Sequence, residues 1–213
     1  MLNLMKYIHQ SWLVALSALI LISACVSQSE TPYETWVEEE LNSGIRNDSL
    51  FLGLHFGMSR QAFIDTCWKL NQRGLIRNGP RKESVQYDLP DLTPLTRINF
   101  YPEFSAEQAI VEVPILVGYK TWAPWLPATS SDSLVVKLQD LVQKWYGGNE
   151  FRRFDFPNLP PMLIKIDGNR RIALTREDEQ FAKLLITDLS KLETEKDRLL
   201  FPPTNPLIER QAQ

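Results

Sequence analysis

An apolar run from Trp12 to Ile22, broken only by Ser17, stands near the start of the chain and closes on Ser23-Ala24-Cys25. It constrains the fold more than any other stretch, because it decides what belongs to the folded body. A membrane-spanning helix needs about 20 consecutive apolar residues. This run is shorter, and the polar Ser27, Gln28 and Ser29 follow it. A weakly cationic start (Lys6 with the terminal amine), a short apolar core and a small-residue end are the parts of a secretory signal. On this reading residues 1–24 are a signal peptide and the remaining chain begins at Cys25.

The segment Leu21-Ile22-Ser23-Ala24-Cys25 places an aliphatic residue three before a cysteine, with two small residues between. This resembles the cleavage site of bacterial lipoproteins. The resemblance implies lipidation of Cys25, so that the membrane is reached through lipid on that residue. Acyl chains contribute about 0.8 kcal/mol per buried methylene, and several together anchor a protein without a spanning helix. It also implies residence in the cell envelope. Val26 stands where the retention rule of enteric bacteria wants an aspartate, which points to the outer membrane, facing the periplasm.

Removing the first 24 of 213 residues leaves about 190, enough for one compact domain or two small ones. Net charge is −3 for the whole chain, with both signs interspersed. Nucleic-acid binders show a basic patch or stripe, and nothing longer than Arg81-Lys82, Arg152-Arg153 or Arg170-Arg171 is present. No nucleic-acid partner is expected. With Cys25 lipidated, Cys67 has no cysteine to pair with, so stability must come from an apolar core.

Residues 25–49 are polar and acidic and read as a tether, within which a short helix around Tyr33 to Leu41 is allowed because Tyr33, Trp36, Val37 and Leu41 fall near helical spacing. The domain proper is expected over 50–200, with a tail at 201–213. Leu50 to Phe56 reads as a strand. A helix follows from Ser59 to Arg73: Ser59 is placed to cap it, Met58 to staple onto Phe63, and Gly74 to end it. Phe63, Cys67 and Leu70 share its apolar face, flanked by Ile64 and Trp68. Strands are expected over Val85 to Leu89, around Ile98 and Phe100, and over Ala109 to Tyr119, where Pro114 suggests an edge or a bulge. A second helix spans roughly Asp132 to Tyr146, capped by Ser130 or Ser131 and stopped by Gly147-Gly148. Strands return at Phe151 to Phe156, Met162 to Ile166, Ile172 to Thr175 and Phe181 to Thr187, with Asp167-Gly168-Asn169 as a hairpin turn. A last helix is expected from Leu189 to Leu200.

The order helix–strand–strand–strand thus occurs twice, in halves 50–129 and 130–200. Strands running on after a helix predict α+β with helices packed on antiparallel sheet. Gly57-Met58-Ser59 leading into Phe63-Ile64, Trp145-Tyr146-Gly147 before a strand, and Asn169 to Leu174 in a hairpin resemble small envelope lipoproteins of the BamE and β-lactamase-inhibitor-like type. That resemblance implies a helix-plus-sheet fold and a binding role, and it carries over no catalytic residue.

Beyond the leader the chain has one histidine, His55. Multi-histidine zinc sites are therefore excluded, and any Cys–His catalyst would have to join His55 to Cys67, on the apolar face of a helix where a thiolate is disfavoured. Asp88 with Asp91, and Glu177-Asp178-Glu179, read as turn residues. No cofactor or metal is expected. Trp122 and Trp125 lie in the Pro-stiffened loop Thr121 to Thr129. They serve as a platform for a sugar, as an anchor for a protein partner, or as a cover folded back on the core. The expectation is a non-catalytic module for protein interaction or assembly with an envelope protein as partner. A glycan or small-ligand binder is the alternative, and a hydrolase the least favoured reading.

Overall fold

A computed structural model of the chain describes residues 32–80, 84–157 and 159–192. Helix α1 (Pro32–Asn42) comes first, then α2 (Arg60–Gln72), leading into β1 (Ile76–Asn78), β2 (Val85–Leu89), β3 (Thr96–Phe100), the two-residue β4 (Glu103–Phe104) and β5 (Ile110–Tyr119). Helix α3 (Ser131–Tyr146) then leads into β6 (Arg152–Phe154), β7 (Met162–Asp167), β8 (Arg170–Arg176) and β9 (Phe181–Asp188). All pairings are antiparallel, in the order β1-β2-β3-β5-β9-β8-β7-β6, with β4 beside β5. The class is α+β, as the order of elements predicts. The two halves do not build separate sheets. Each is a helix followed by a meander, and their last strands, β5 and β9, pair from Glu112↔Thr187 to Gly118↔Phe181.

The helices begin where the caps require. Ser59 Oγ accepts a hydrogen bond from the Ala62 amide at 3.2 Å. Ser130 Oγ accepts from the Ser133 amide at 3.3 Å. Alternation along the central strands divides the sheet into two faces. Ile98, Phe100, Val113, Ile115, Val117, Ile172, Leu174, Leu184 and Ile186 face Phe63 of α2 and Leu134, Leu138, Leu141 and Val142 of α3. The other face of the second half buries Ile164, Ile166, Ala173 and Leu185 under Tyr33, Trp36 and Val37 of α1. Each large apolar side chain so buried contributes about 1.5–3 kcal/mol. Among the described residues no helix is long and apolar enough to cross a membrane.

Several expectations need correction. The short helix allowed around Tyr33 to Leu41 is α1, but it belongs to the domain and not to a tether, with Tyr33 and Trp36 buried. Trp36 stacks on Phe154 at 6.1 Å and lies under the Arg152 guanidinium at 4.1 Å. Leu50 to Phe56 is a turn. The Leu54 amide donates to the Phe51 carbonyl at 3.0 Å, with Leu52 and Gly53 at φ +56° and +77°. Adjacent Leu50 and Phe51 are both buried, which a strand with one covered face does not allow. Helix α2 packs beside β1, so Ile64 and Trp68 flank the contact and stay exposed while Cys67 is half-buried. Pro114 lies on neither an edge nor a bulge of its own strand. It sits in the central β5, opposite Leu185, where no residue of β3 or β4 is paired with it. A residue without an N–H fits at that gap. Strands β1 and β4 add to the expected set. At the far end a single 3-10 turn spans Leu189–Lys191. The rest of the helix expected to Leu200, and the tail 201–213, lie outside the described residues.

Because α1 covers the second half of the sheet, the domain needs it. A chain beginning at Leu50 should fail to give a cooperative melt, whereas one beginning at Val26 should melt cooperatively. Trp36→Ala should destabilise by about 3–5 kcal/mol in denaturant titration.

Candidate functional site

The β7–β8 hairpin gathers the densest set of buried polar groups among the described residues. Its loop is Gly168-Asn169, between the paired Asp167 and Arg170. Gly168 has φ +59°, and a Cβ there would run into the Ile45 carbonyl. A positive φ at the first central residue is what a type II′ turn requires. The chain before α2 therefore packs directly on the turn. The Asn47 amide donates to Asn169 Oδ1 at 2.6 Å, the Gly168 amide to Glu40 Oε2 at 2.8 Å, and Asn169 Nδ2 to Asp188 Oδ1 at 3.0 Å.

On the face toward α3, one carboxylate serves two cations. Asp167 Oδ2 lies 3.1 Å from Lys165 Nζ and 3.6 Å from Arg170 Nη2, and all three side chains are buried. Asp167 Oδ1 also accepts from the Asn149 amide at 2.7 Å. Lys165 Nζ donates to the Asn149 carbonyl, just beyond the end of α3, where the helix presents its negative pole. Arg170 Nη1 donates to the Ser49 carbonyl at 3.0 Å, and its guanidinium lies 4.2 Å from the centre of the Tyr146 ring, a cation–π contact. Two donors of this stack, Arg170 Nε and the Tyr146 hydroxyl, are buried without a protein partner. Burial pushes the Tyr146 phenol up to about 12, against the pull of Arg170. Both residues line a cleft of about 520 Å³ whose other walls include Asn47, Phe51, Leu52, Tyr87 and Trp145, with the exposed Asp91 among them. A second cleft, of about 740 Å³, runs between the start of α3 and β6–β8. Met162, Leu163 and Leu174 line it, with Asp132, Arg153 and Glu177 around them.

The residues singled out from sequence lie elsewhere. Cys25 is outside the described residues. Trp122 is half-buried, whereas Trp125 is 82 % exposed. Their loop is well bonded: the Leu126 amide donates to the Ala123 carbonyl at 3.0 Å, and Thr129 Oγ1 donates to the Leu126 carbonyl at 2.9 Å. One ring is thus open and the other half-buried, and the Trp125 ring does not fold back on the core. His55 is exposed, with ring Nδ1 2.8 Å from the Phe56 carbonyl oxygen. Burial pushes the Cys67 thiol up to about 11, so at neutral pH it is a poor nucleophile. Asp88 is held by Arg97 and Arg77 at 2.9 and 2.8 Å. Burial opposes its ionisation, but these bonds prevail and its carboxyl titrates below the usual range.

Sequence reasoning passed over Lys165, Arg170 and Tyr146. One mark was visible: Lys165 interrupts the apolar run Met162-Leu163-Ile164-Ile166, where a charge is costly unless paired. Asp167→Ala would leave Lys165 and Arg170 buried without their shared carboxylate. It should cost about 3–5 kcal/mol, read from a shifted denaturation midpoint, while Asp91→Ala at the exposed rim should change stability little.

The chain matches no protein-family model, no curated protein and no solved structure.

Proposed function

We propose that this chain is a lipid-anchored domain of the cell envelope whose work is binding, and that it engages a protein partner through the loop carrying Trp125. The observation that carries this reading is the 82 % exposure of Trp125, next to Leu126 at 45 %, on a loop fixed by its own hydrogen bonds. A tryptophan buries about 150–250 Å² in a contact. At about 25 cal/mol per Å² the ring offers roughly 4–6 kcal/mol before the costs of association. Interfaces draw much of their energy from such anchors, and rigid presentation lowers the entropy lost on binding.

The anchoring half of the proposal rests on Ile22-Ser23-Ala24-Cys25 after the apolar run. A glycan platform built from both tryptophans has less support, because Trp122 is half-buried while Trp125 alone stands open.

Two measurements separate these claims. Cys25→Ser should move the protein from membrane to soluble fractions, and unchanged retention in the membrane would refute the lipid anchor. Trp125→Ala should leave the melting temperature unchanged, since exposed substitutions fall within about 0.5 kcal/mol. It should also abolish the principal crosslinked species recovered from the native envelope. Crosslinks that persist in that variant would place the contact somewhere else.

A further inference from the structure

We propose that the cleft between residues 47–52 and the carboxy-terminal end of α3 binds a small monocarboxylate with an apolar body, its carboxylate held by Arg170 and Tyr146. This site is separate from the Trp125 loop and stands or falls independently of it.

Two donors at this cleft have no partner among the described residues. Arg170 is 3 % exposed, and its Nε makes no hydrogen bond; neither does the Tyr146 hydroxyl, whose ring the same guanidinium covers at 4.2 Å. A buried polar group without a partner costs about 1–3 kcal/mol, and folded proteins leave few of them. Here two of the same sense occur on side chains that touch and that line one cleft. Their common complement is an acceptor. A carboxylate accepts at two oxygens and meets the edge of a guanidinium in matching geometry. The Tyr146 phenol, pushed up to about 12, keeps its proton and stays a donor at neutral pH.

Charge favours the same ligand. Lys165 and Arg170 share the single carboxylate of Asp167, and the remaining partners named for them are neutral carbonyls of Asn149 and Ser49. The three side chains by themselves thus sum to one positive charge, with the Glu40 carboxylate beyond them bonded to the Gly168 amide and to Asn149 Nδ2. Asp91, exposed and also lining the cleft, opposes a multiply charged anion such as phosphate. The walls supply the rest of the specificity. Phe51, Leu52 and Trp145 are apolar, and the cleft volume of about 520 Å³ lies within the range of small-molecule sites.

The test is calorimetric titration of the full-length protein with phenylacetate, hexanoate and inorganic phosphate. Saturable binding of a carboxylate, weaker binding of phosphate, and a loss of about tenfold or more in Tyr146→Phe would support the site. Tyr146→Phe removes only an atom that bonds nothing in the protein, so its melting temperature should not fall. That variant remains informative even if Arg170→Met does not fold. No carboxylate binding at millimolar concentration, equal affinity in Tyr146→Phe, or tighter binding of phosphate would overturn the proposal. The first two outcomes would leave ordered water as the partner of both donors.

Discussion

The seam between β5 and β9 holds the two halves of the molecule in one sheet, and a hydrogen-bonded row of side chains crosses it on the face beneath α1. Glu112, Thr187 and Arg171 are directly opposite one another on β5, β9 and β8. The Thr187 hydroxyl donates to Glu112 Oε2 at 2.8 Å and accepts from Arg171 Nη2 at 3.3 Å, and Arg171 Nη1 reaches the Tyr33 hydroxyl at 2.8 Å. One chain of hydrogen bonds therefore runs from the first meander, through the second, into the helix that covers it. Burial pushes the Glu112 carboxyl up, and its bond from Thr187 and the nearby Arg171 act in the opposite direction. Arg171 is 1 % exposed; removing any partner would leave a charge in a setting where solvation cannot compensate for it. The row also sets register, because a slip of one residue would carry Arg171 to the apolar face and Ile172 under α1.

The same period of two explains the dipeptide Arg170-Arg171. Neighbours on a strand point to opposite faces. Arg171 joins the row under α1, whereas Arg170 joins Asp167 and Tyr146 beside α3. A pair that counts as a basic run in sequence is thus two buried cations on opposite sides of a sheet. The hairpin makes both placements possible. Gly168 lets the chain turn in two residues, and the groups converging on it come from the segment before α2, the segment after α3 and the last residue of β9.

Much of the framework was legible because it is one-sided and long. The stripe Leu134, Leu138, Leu141 with its Ser130 cap, the alternation through β5, and Gly168 in a hairpin each state their structure locally. The misreadings have physical causes. Strands β1 and β4 are three and two residues long and show no period. At Leu50 to Phe56 loose alternation hid a turn through Leu52-Gly53, and only the burial of both Leu50 and Phe51 reveals it. Trp68 and Ile64 flank the apolar stripe of α2, yet that helix turns Phe63 and Leu70 inward, with Phe63 on Tyr101 and Phe104, and leaves the flanks open. The cleft was the least legible part. Lys165 could be flagged as a charge in an apolar run, but nothing local says that Ser49 meets Arg170 or that Tyr146 lies under it.

Placing α1 inside the domain also changes what an anchor at Cys25 implies. Read as a tether, residues 25–49 would let the body range far from the bilayer. With α1 docked through Trp36 and Tyr33, the lipid-anchored reading leaves only the sequence between Cys25 and Pro32 to separate the lipid from the domain. At about 3.3–3.6 Å per residue fully extended, a stretch of that length spans at most roughly 25 Å. In the lipid-anchored reading, a domain held on so short a lead works near the membrane surface. On the same reading, a protein partner would have to bring its complementary surface to that zone. This restriction favours a membrane-associated protein over one free in the compartment, since confinement to a thin layer raises the effective concentration of two anchored proteins without any new contact.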